Sequence, residues 1–239
     1  MKKGLMDKRS AQSGFSVVEL LVVISIIAVM SAIVLFYVTN QKKAYQPDEE
    51  ALQIADMLQE GRQRSLTQRR SMRVEINLTT NMVKLYDENT NAASAADDVL
   101  LRNVGLFAPA NVRIDTRPSE IAYNPAESMP VPNCVFKTSV YTKSVGNSVC
   151  TIRFLANGTA VDAGNDTIGT GAVPTGVTVH IWAPNKTNNN QSDIARSLTV
   201  LGPSGVVRMW EFDHTSAATN KWKDSHRAGS YGSSGNSVP

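Results

Sequence analysis

Two cysteines in 239 residues rule out a disulfide-dense miniprotein, and with three scattered histidines (His180, His214 and His226) they exclude a Cys/His zinc cluster. Charge of one sign is also scarce. The formal net charge of +3 is local, because Lys2, Lys3, Lys8 and Arg9 against Asp7 place all of it in the first 14 residues. Residues 15 to 239 therefore balance, and the body of the chain lacks the long-range basic field that attracts nucleic acid. What is present is the composition of a folded protein, 42% hydrophobic and 19% charged.

Apolar residues are most concentrated near the N-terminus. Phe15 to Val38 runs 24 residues with one charge, Glu19, and no Gly or Pro. As a helix it extends about 36 Å, enough for a hydrocarbon core of about 30 Å. The basic residues before it leave residues 1–14 in the cytoplasm and send the C-terminal part outward. A secretory signal peptide fits poorly, since its apolar stretch is shorter, carries no carboxylate near its start and ends in a small-x-small site. A plain signal anchor leaves Glu19 unexplained, because a carboxylate in a membrane helix costs about 2.5–3.5 kcal/mol on insertion scales. Cleavage between Gly14 and Phe15 supplies the missing partner: a new α-ammonium one turn before Glu19, whose carboxylate also sits where the helix dipole favours negative charge. The same amine could meet Glu19 of a neighbouring chain and set the stagger of helices that otherwise slide past one another.

Gly14-Phe15-Ser16-Val17-Val18-Glu19-Leu20, preceded by a basic leader and followed by an apolar run, resembles the class III leader of type IV pilins and type II secretion pseudopilins. The resemblance implies cleavage after Gly14 by a membrane prepilin peptidase and N-methylation of Phe15 from S-adenosylmethionine, with the chain as substrate rather than enzyme. It further implies partnership with other pilins or pseudopilins and with an inner-membrane assembly platform. The location implied is the bacterial inner membrane, single-pass, with the globular domain in the periplasm. Ser16 stands where Thr is commoner, and the apolar run lacks the proline that many major pilins carry.

Further along, Pro47-Asp48-Glu49-Glu50 resembles a helix start, Pro47 either dividing two helices or kinking one long helix that continues from the apolar run, and Ala51, Ile54, Ala55, Leu58, Ser65 and Leu66 fall on one face of a helix to about Arg70. The period then changes to two at Val74, Ile76 and Leu78, with further strands expected at 82–86, 134–141, 149–155, 177–183, 196–201 and 206–212. The last two join through Gly202-Pro203-Ser204-Gly205, and residues 109–132, with five prolines, read as irregular or edge-like. The segments are thus a leader at 1–14, a membrane and assembly helix at 15–38, an amphipathic helix at 39–70, a β-rich domain at 71–227 and a Ser/Gly-rich tail at 228–239 expected to be disordered. The fold class is α+β, a helix packed on antiparallel sheet, which is the pilin architecture. Ala51-Leu52 through Leu66, Val74-Glu75-Ile76, Phe154-x-x-Asn157-Gly158 and Gly205-Val206-Val207 resemble, more narrowly, the H-type pseudopilin and minor pilin family (GspH/FimT/FimU).

Cys134 and Cys150 lie between predicted strands of a domain placed outside the cytoplasm, so a disulfide is expected, with two buried thiols as the alternative. Arg62, Arg64, Arg69, Arg70 and Arg73 could face an acidic partner, but pairing with Glu60 and Glu75 and with the helix dipole is the simpler reading. Lys221, Lys223 and Arg227 around Trp222 offer DNA contacts as an alternative function, a DNA-binding minor pilin, which the neutral body of the chain disfavours. Asp162, Asn165 and Asp166 do not match an EF-hand spacing and read as a hydrogen-bonded turn. Gly202-Pro203-Ser204-Gly205 is no nucleophile elbow. His180 alternates with Val179 and Ile181, which points it to the opposite face, expected to be solvated. No constellation for enzyme catalysis, no metal site and no cofactor emerges.

Overall fold

The computed structural model describes residues 15–88, 98–115, 117–166, 168–184 and 195–225, with the side chains of residues 36–44 left out. The leader, Arg227 and the tail 228–239 lie outside the described residues. Contacts divide the chain into two units, Met1–Lys42 and Lys43–Pro239.

Helix α1 runs from Val17 to Gln68 with Pro47 inside it, so of the two alternatives at Pro47 the chain takes the single long helix, the apolar segment continuing into the amphipathic one. In the second unit its buried face is Ala51, Ile54, Met57, Leu58 and Ser65, whereas Leu66, expected on that face, is exposed. Gly61 faces the sheet at close range: a Cβ there would lie 3.0 Å from Val74 Cγ2 and 3.2 Å from Leu85 Cδ1. The helix ends at Arg69 in the left-handed region, φ 52°.

Two antiparallel sheets follow where one was expected. The first comprises β1 (Ser71–Asn77), β2 (Met82–Glu88), β3 (Val99–Gly105), β5 (Lys137–Thr138), β6 (Ser148–Phe154) and β7 (Ala160–Val161), in the order β3-β2-β1-β6-β5 with β7 also on β6. The second comprises β4 (Arg113–Asp115), β8 (Val177–Trp182), β9 (Arg196–Val200), β10 (Val207–Phe212) and β11 (Trp222–Asp224), in the order β11-β10-β9-β8-β4. The strand expected over 134–141 shrinks to two residues, because Cys134 N–H instead bonds Thr178 O on β8 at 2.7 Å. One core joins the helix to both sheets through Val74, Ile76, Leu85, Ile152, Phe154, Val179, Ile181 and Leu198. Cys134 and Cys150 form the expected disulfide, Cα–Cα 6.1 Å, which ties the chain beside β8 to β6 and so links the two sheets. Closing a loop of this length contributes about 3 kcal/mol in the chain-entropy estimate.

A second core contains all three tryptophans. Trp182, Trp210, Phe212 and Trp222 lie with Ile121 on the other face of the second sheet, beneath the proline-rich segment 117–133. That segment is a strap rather than an edge: Trp222 Nε1–H donates to Tyr123 O at 2.8 Å, Thr178 Oγ1 to Val131 O at 3.1 Å, and Arg208 pairs with Glu127 at 2.9 Å. His180 is corrected by the same segment. Alternation does turn it away from Val179 and Ile181, but the strap covers that face and leaves His180 1% exposed, 3.3 Å from Asn133 Oδ1. Burial, and then the charge of Arg117, push its pKa down to about 4, so the ring is neutral at neutral pH.

Glu50 is a buried acid on α1. Its Oε2 accepts Phe107 N–H at 2.9 Å, while Oε1, like Oε1 of Gln46 one turn earlier, is buried without a partner among the described residues. Burial raises its pKa to about 7 against the opposing bond from Phe107, and the neighbouring charge of Glu49 adds to the rise. The folded chain therefore holds a proton that the unfolded chain releases above about 4.5, and stability falls as pH rises from about 4.5 to about 7. Glu50→Gln should be the more stable protein at pH 8 by up to about 3 kcal/mol, with the gain vanishing near pH 4.5. Denaturant melts followed by tryptophan fluorescence at both pH values check this; parallel curves for the two proteins would refute it.

Candidate functional site

The candidate assembly site is built at the first turn of α1. Ser16 is the N-cap: its Oγ accepts the backbone N–H of Glu19 at 3.2 Å, and its carbonyl accepts Leu20 N–H at 3.1 Å. Ser16-x-x-Glu19 is the spacing of a capping box, with the acid at the third helical position near the positive end of the dipole. Ser16 thus has a local role that a hydroxyl residue of either size performs. Glu19 is exposed.

Beyond this cap, Val17–Leu35 is a span of 19 residues with mean hydropathy 2.8, none of it buried in the protein. Phe15 is 84% exposed, and Leu21, Ile27, Ile33 and Leu35 are each more than half exposed. A soluble helix would bury such a surface against its own core; this one is apolar all round, as a membrane or a bundle of like helices requires. Ser25 needs no external partner, because its Oγ donates to Leu21 O at 2.8 Å. Gly14 lies outside the described residues.

The other sequence candidates are engaged inside the β domain. Lys221 Nζ donates to His214 O at 2.9 Å and Lys223 pairs with Asp213, whose carboxyl is held below its ordinary range by Lys223 and by Thr215. Trp222 is 6% exposed beneath the strap. The basic and aromatic pattern at 221–223 therefore presents no ring for a base to stack on. The arginines do not share a face: Arg62 donates to Ser204 O at 3.0 Å, Arg64 pairs with Glu60 at 2.8 Å, Arg70 reaches Asp87 at 3.5 Å and Arg73 is buried. Asp162 Oδ1 accepts Gly164 N–H and Val173 N–H, and Asp166 Oδ1 accepts Ile168 N–H and Thr170 N–H, so these acids organise a turn.

The expected pairing of Arg73 with Glu75 is found, but as part of a larger buried ionic cluster that sequence reasoning missed, on the face of the first sheet opposite the helix. Arg73, 0% exposed, pairs with Glu75 at 2.8 Å, Glu88 at 3.1 Å and Asp98 at 2.6 Å. Its guanidinium carbon lies 3.9 Å from the ring centre of Tyr141 and 4.7 Å from that of Tyr86. Burial opposes its charge, but Glu75, Glu88 and Asp98 more than offset this and hold its pKa above the ordinary value. Arg153 adds a two-pronged bond to Glu88 through Nε and Nη2. Gly169 packs on that guanidinium at φ 76°, where a Cβ would overlap Nη1. Each carboxylate of this cluster is taken up by an arginine, and among the described residues no group of His, Cys, Asp and Glu is arranged to hold a metal ion.

One comparison with known proteins singles out the same N-terminal stretch. The family model described as the prokaryotic N-terminal methylation motif matches residues 9–35. No curated protein matches the chain significantly. Among solved structures, the minor pseudopilin EpsH from the type 2 secretion system of Vibrio cholerae is 9% identical over 69% of this chain and 95% of its own, with a TM-score of 0.39. The type IV minor pilin FimU of Pseudomonas aeruginosa is 16% identical over 72% of this chain and 92% of its own, with a TM-score of 0.38. In its N-terminal motif, and in its plan of a long apolar helix leading into a helix packed on antiparallel sheet, the chain is pilin-like.

Proposed function

We propose that this chain is a minor pilin or pseudopilin of the H-type family, a structural subunit that a prepilin peptidase releases from its leader and that then assembles through α1. The observation that carries this reading is the start of that helix: a capped first turn holding Glu19, followed by an apolar span exposed on every side. After cleavage, the amine of Phe15 lies one turn from Glu19, and the two charges neutralise each other within the chain or between neighbours. Before assembly the span stores the subunit in the inner membrane with its β domain in the periplasm. On this reading the chain catalyses nothing itself; it is the substrate of cleavage and methylation.

Gly14 supplies the test. A peptidase must bring backbone close around the scissile bond, and a branched side chain obstructs that approach. Gly14→Val should keep its full mass in cells that possess the peptidase, while the wild-type chain loses residues 1–14 and gains a methyl group. Shortening of the Gly14→Val chain at the same bond would overturn the assignment.

A further inference from the structure

The register around β6 leaves one position open. Along one side β6 pairs throughout with β1, but on the other only its ends are covered, Val149 by Lys137 of β5 and Arg153 by Val161 of β7. Leu78 N–H bonds Ser148 O on the β1 side, whereas Ser139 N–H bonds Asn147 O and Leu155 N–H bonds Thr159 O on the far side. Odd-numbered residues of β6 therefore turn their peptide groups away from β1, and Thr151 is the odd residue between the two covered ends. Continued in register, β5 would meet it with Val135 and β7 with Ala163. Both chains leave instead: Cys134 is drawn to β8, and Ala163 O accepts the Tyr141 hydroxyl at 3.0 Å. Among the described residues no neighbouring backbone bonds Thr151 on this side.

A cleft of about 290 Å³ opens over that gap, walled by Val135, Val149, Ile152 and Val177. Lys137 lines its β5 end and Asp162 its β7 end. Asp162 is committed to its turn through Oδ1. The Lys137 side chain is exposed and makes no hydrogen bond or ion pair among the described residues. The volume is at the small end of ligand clefts, about 300–1,000 Å³, and suits one or two amino-acid residues. A continuous strand cannot lie in it, because β5 and β7 occupy the same line on either side. A chain end can. Both flanking strands run antiparallel to β6, from the Asp162 end toward the Lys137 end, so a peptide entering in the same sense brings its C-terminus to Lys137.

We propose that this cleft captures the C-terminal end of another polypeptide: its last peptide group completes the ladder at Thr151, an apolar final side chain fills the space beside Ile152 and Val177, and its terminal carboxylate pairs with Lys137. The inference goes beyond the assembly reading and does not depend on it, since the cleft lies wholly within the β domain.

The test uses the isotopically labelled full chain in detergent micelles and two probes, the peptide acetyl-Gly-Ser-Val-Val with a free carboxylate and the same peptide amidated. The free acid should shift the amide signals of Thr151 and Lys137 and bind at least tenfold more tightly than the amide. Lys137→Gln should erase that preference while leaving the tryptophan-monitored melting curve unchanged. No shift at millimolar free acid, equal binding of the two peptides, or an undiminished preference in Lys137→Gln each overturns the proposal; processing at Gly14 is unaffected by any of these outcomes.

Discussion

Arg73→Met should destabilise the β domain by about 3–5 kcal/mol, the usual cost of removing one partner from a buried ion cluster. The methionine fills much of the volume but leaves Glu75 buried without its partner, and Glu88 and Asp98 each lose a bond that Arg73 supplied. Arg153 still holds Glu88, so the loss is partial at that acid and most complete at Glu75, which is 0% exposed. For a domain of this size the change corresponds to a fall in Tm of roughly 6–20 °C. The three tryptophans all lie in the β domain, so fluorescence reports its unfolding without interference from the membrane span. Adding Glu75→Leu to Arg73→Met should restore part of the loss, because a buried apolar pair no longer carries an uncompensated charge. Arg73→Lys should also be weaker than wild type, since an ammonium cannot bond three carboxylates and stack on two phenol rings at once. A loss below about 1 kcal/mol for Arg73→Met would show that the cluster is not a clamp.

Why most of this cluster was illegible in the sequence, while the apolar helix was plain, follows from the range of the interactions. Ser16 and Glu19 meet within one helical turn, and the apolar run after them is a property of consecutive residues, so spacing and composition suffice to read the capped helix start and the span. The strands β1, β2, β6, β8, β9 and β10 are legible for the same reason, a period of two against a core. Arg73 looked like one of five arginines near a helix end because its partners are dispersed: Glu75 is adjacent, but Glu88, Asp98 and Tyr141 arrive through β2, β3 and the loop after β5. His180 shows the complementary failure. Its face was read correctly and its environment was not, since no local pattern reveals that a proline-rich segment sixty residues earlier folds back over that face. Trp222 was misleading in the same way, flanked by lysines in sequence but buried under the strap in space. The division of the β domain into two sheets also had no local signal. It rests on where the chain between the prolines and β6 crosses from one sheet to the other, a step fixed by Cys134 at its two partners, Thr178 and Cys150.

Glu19 should be dispensable for cleavage and indispensable for assembly, and the choice of substitution separates two physical roles for it. At the third helical position of a capping box, its backbone N–H donates to Ser16 Oγ at 3.2 Å, a bond that survives any side chain. Glu19→Gln keeps the polar side chain that can return a hydrogen bond to the cap, so a purely local role predicts a wild-type Gln variant. The charge-pair role predicts otherwise. A carboxamide cannot neutralise the α-ammonium of Phe15, and an unpaired ammonium among apolar helices costs about 3–5 kcal/mol when its partner is removed. A third of that cost is already a factor of ten in an equilibrium. Both Glu19→Ala and Glu19→Gln should therefore be processed at Gly14 and accumulate in the membrane, where losing the carboxylate eases insertion by about 2.5–3.5 kcal/mol. Both should fall at least about tenfold in the filament fraction, measured as processed subunit recovered with its fellow pilins relative to processed subunit in the membrane. Glu19→Asp, which keeps the charge on a shorter arm, should recover part of the signal. Normal incorporation of Glu19→Gln would remove the charge pair from the mechanism and leave Glu19 as a helix cap, with the register of the apolar helices set by side-chain packing alone.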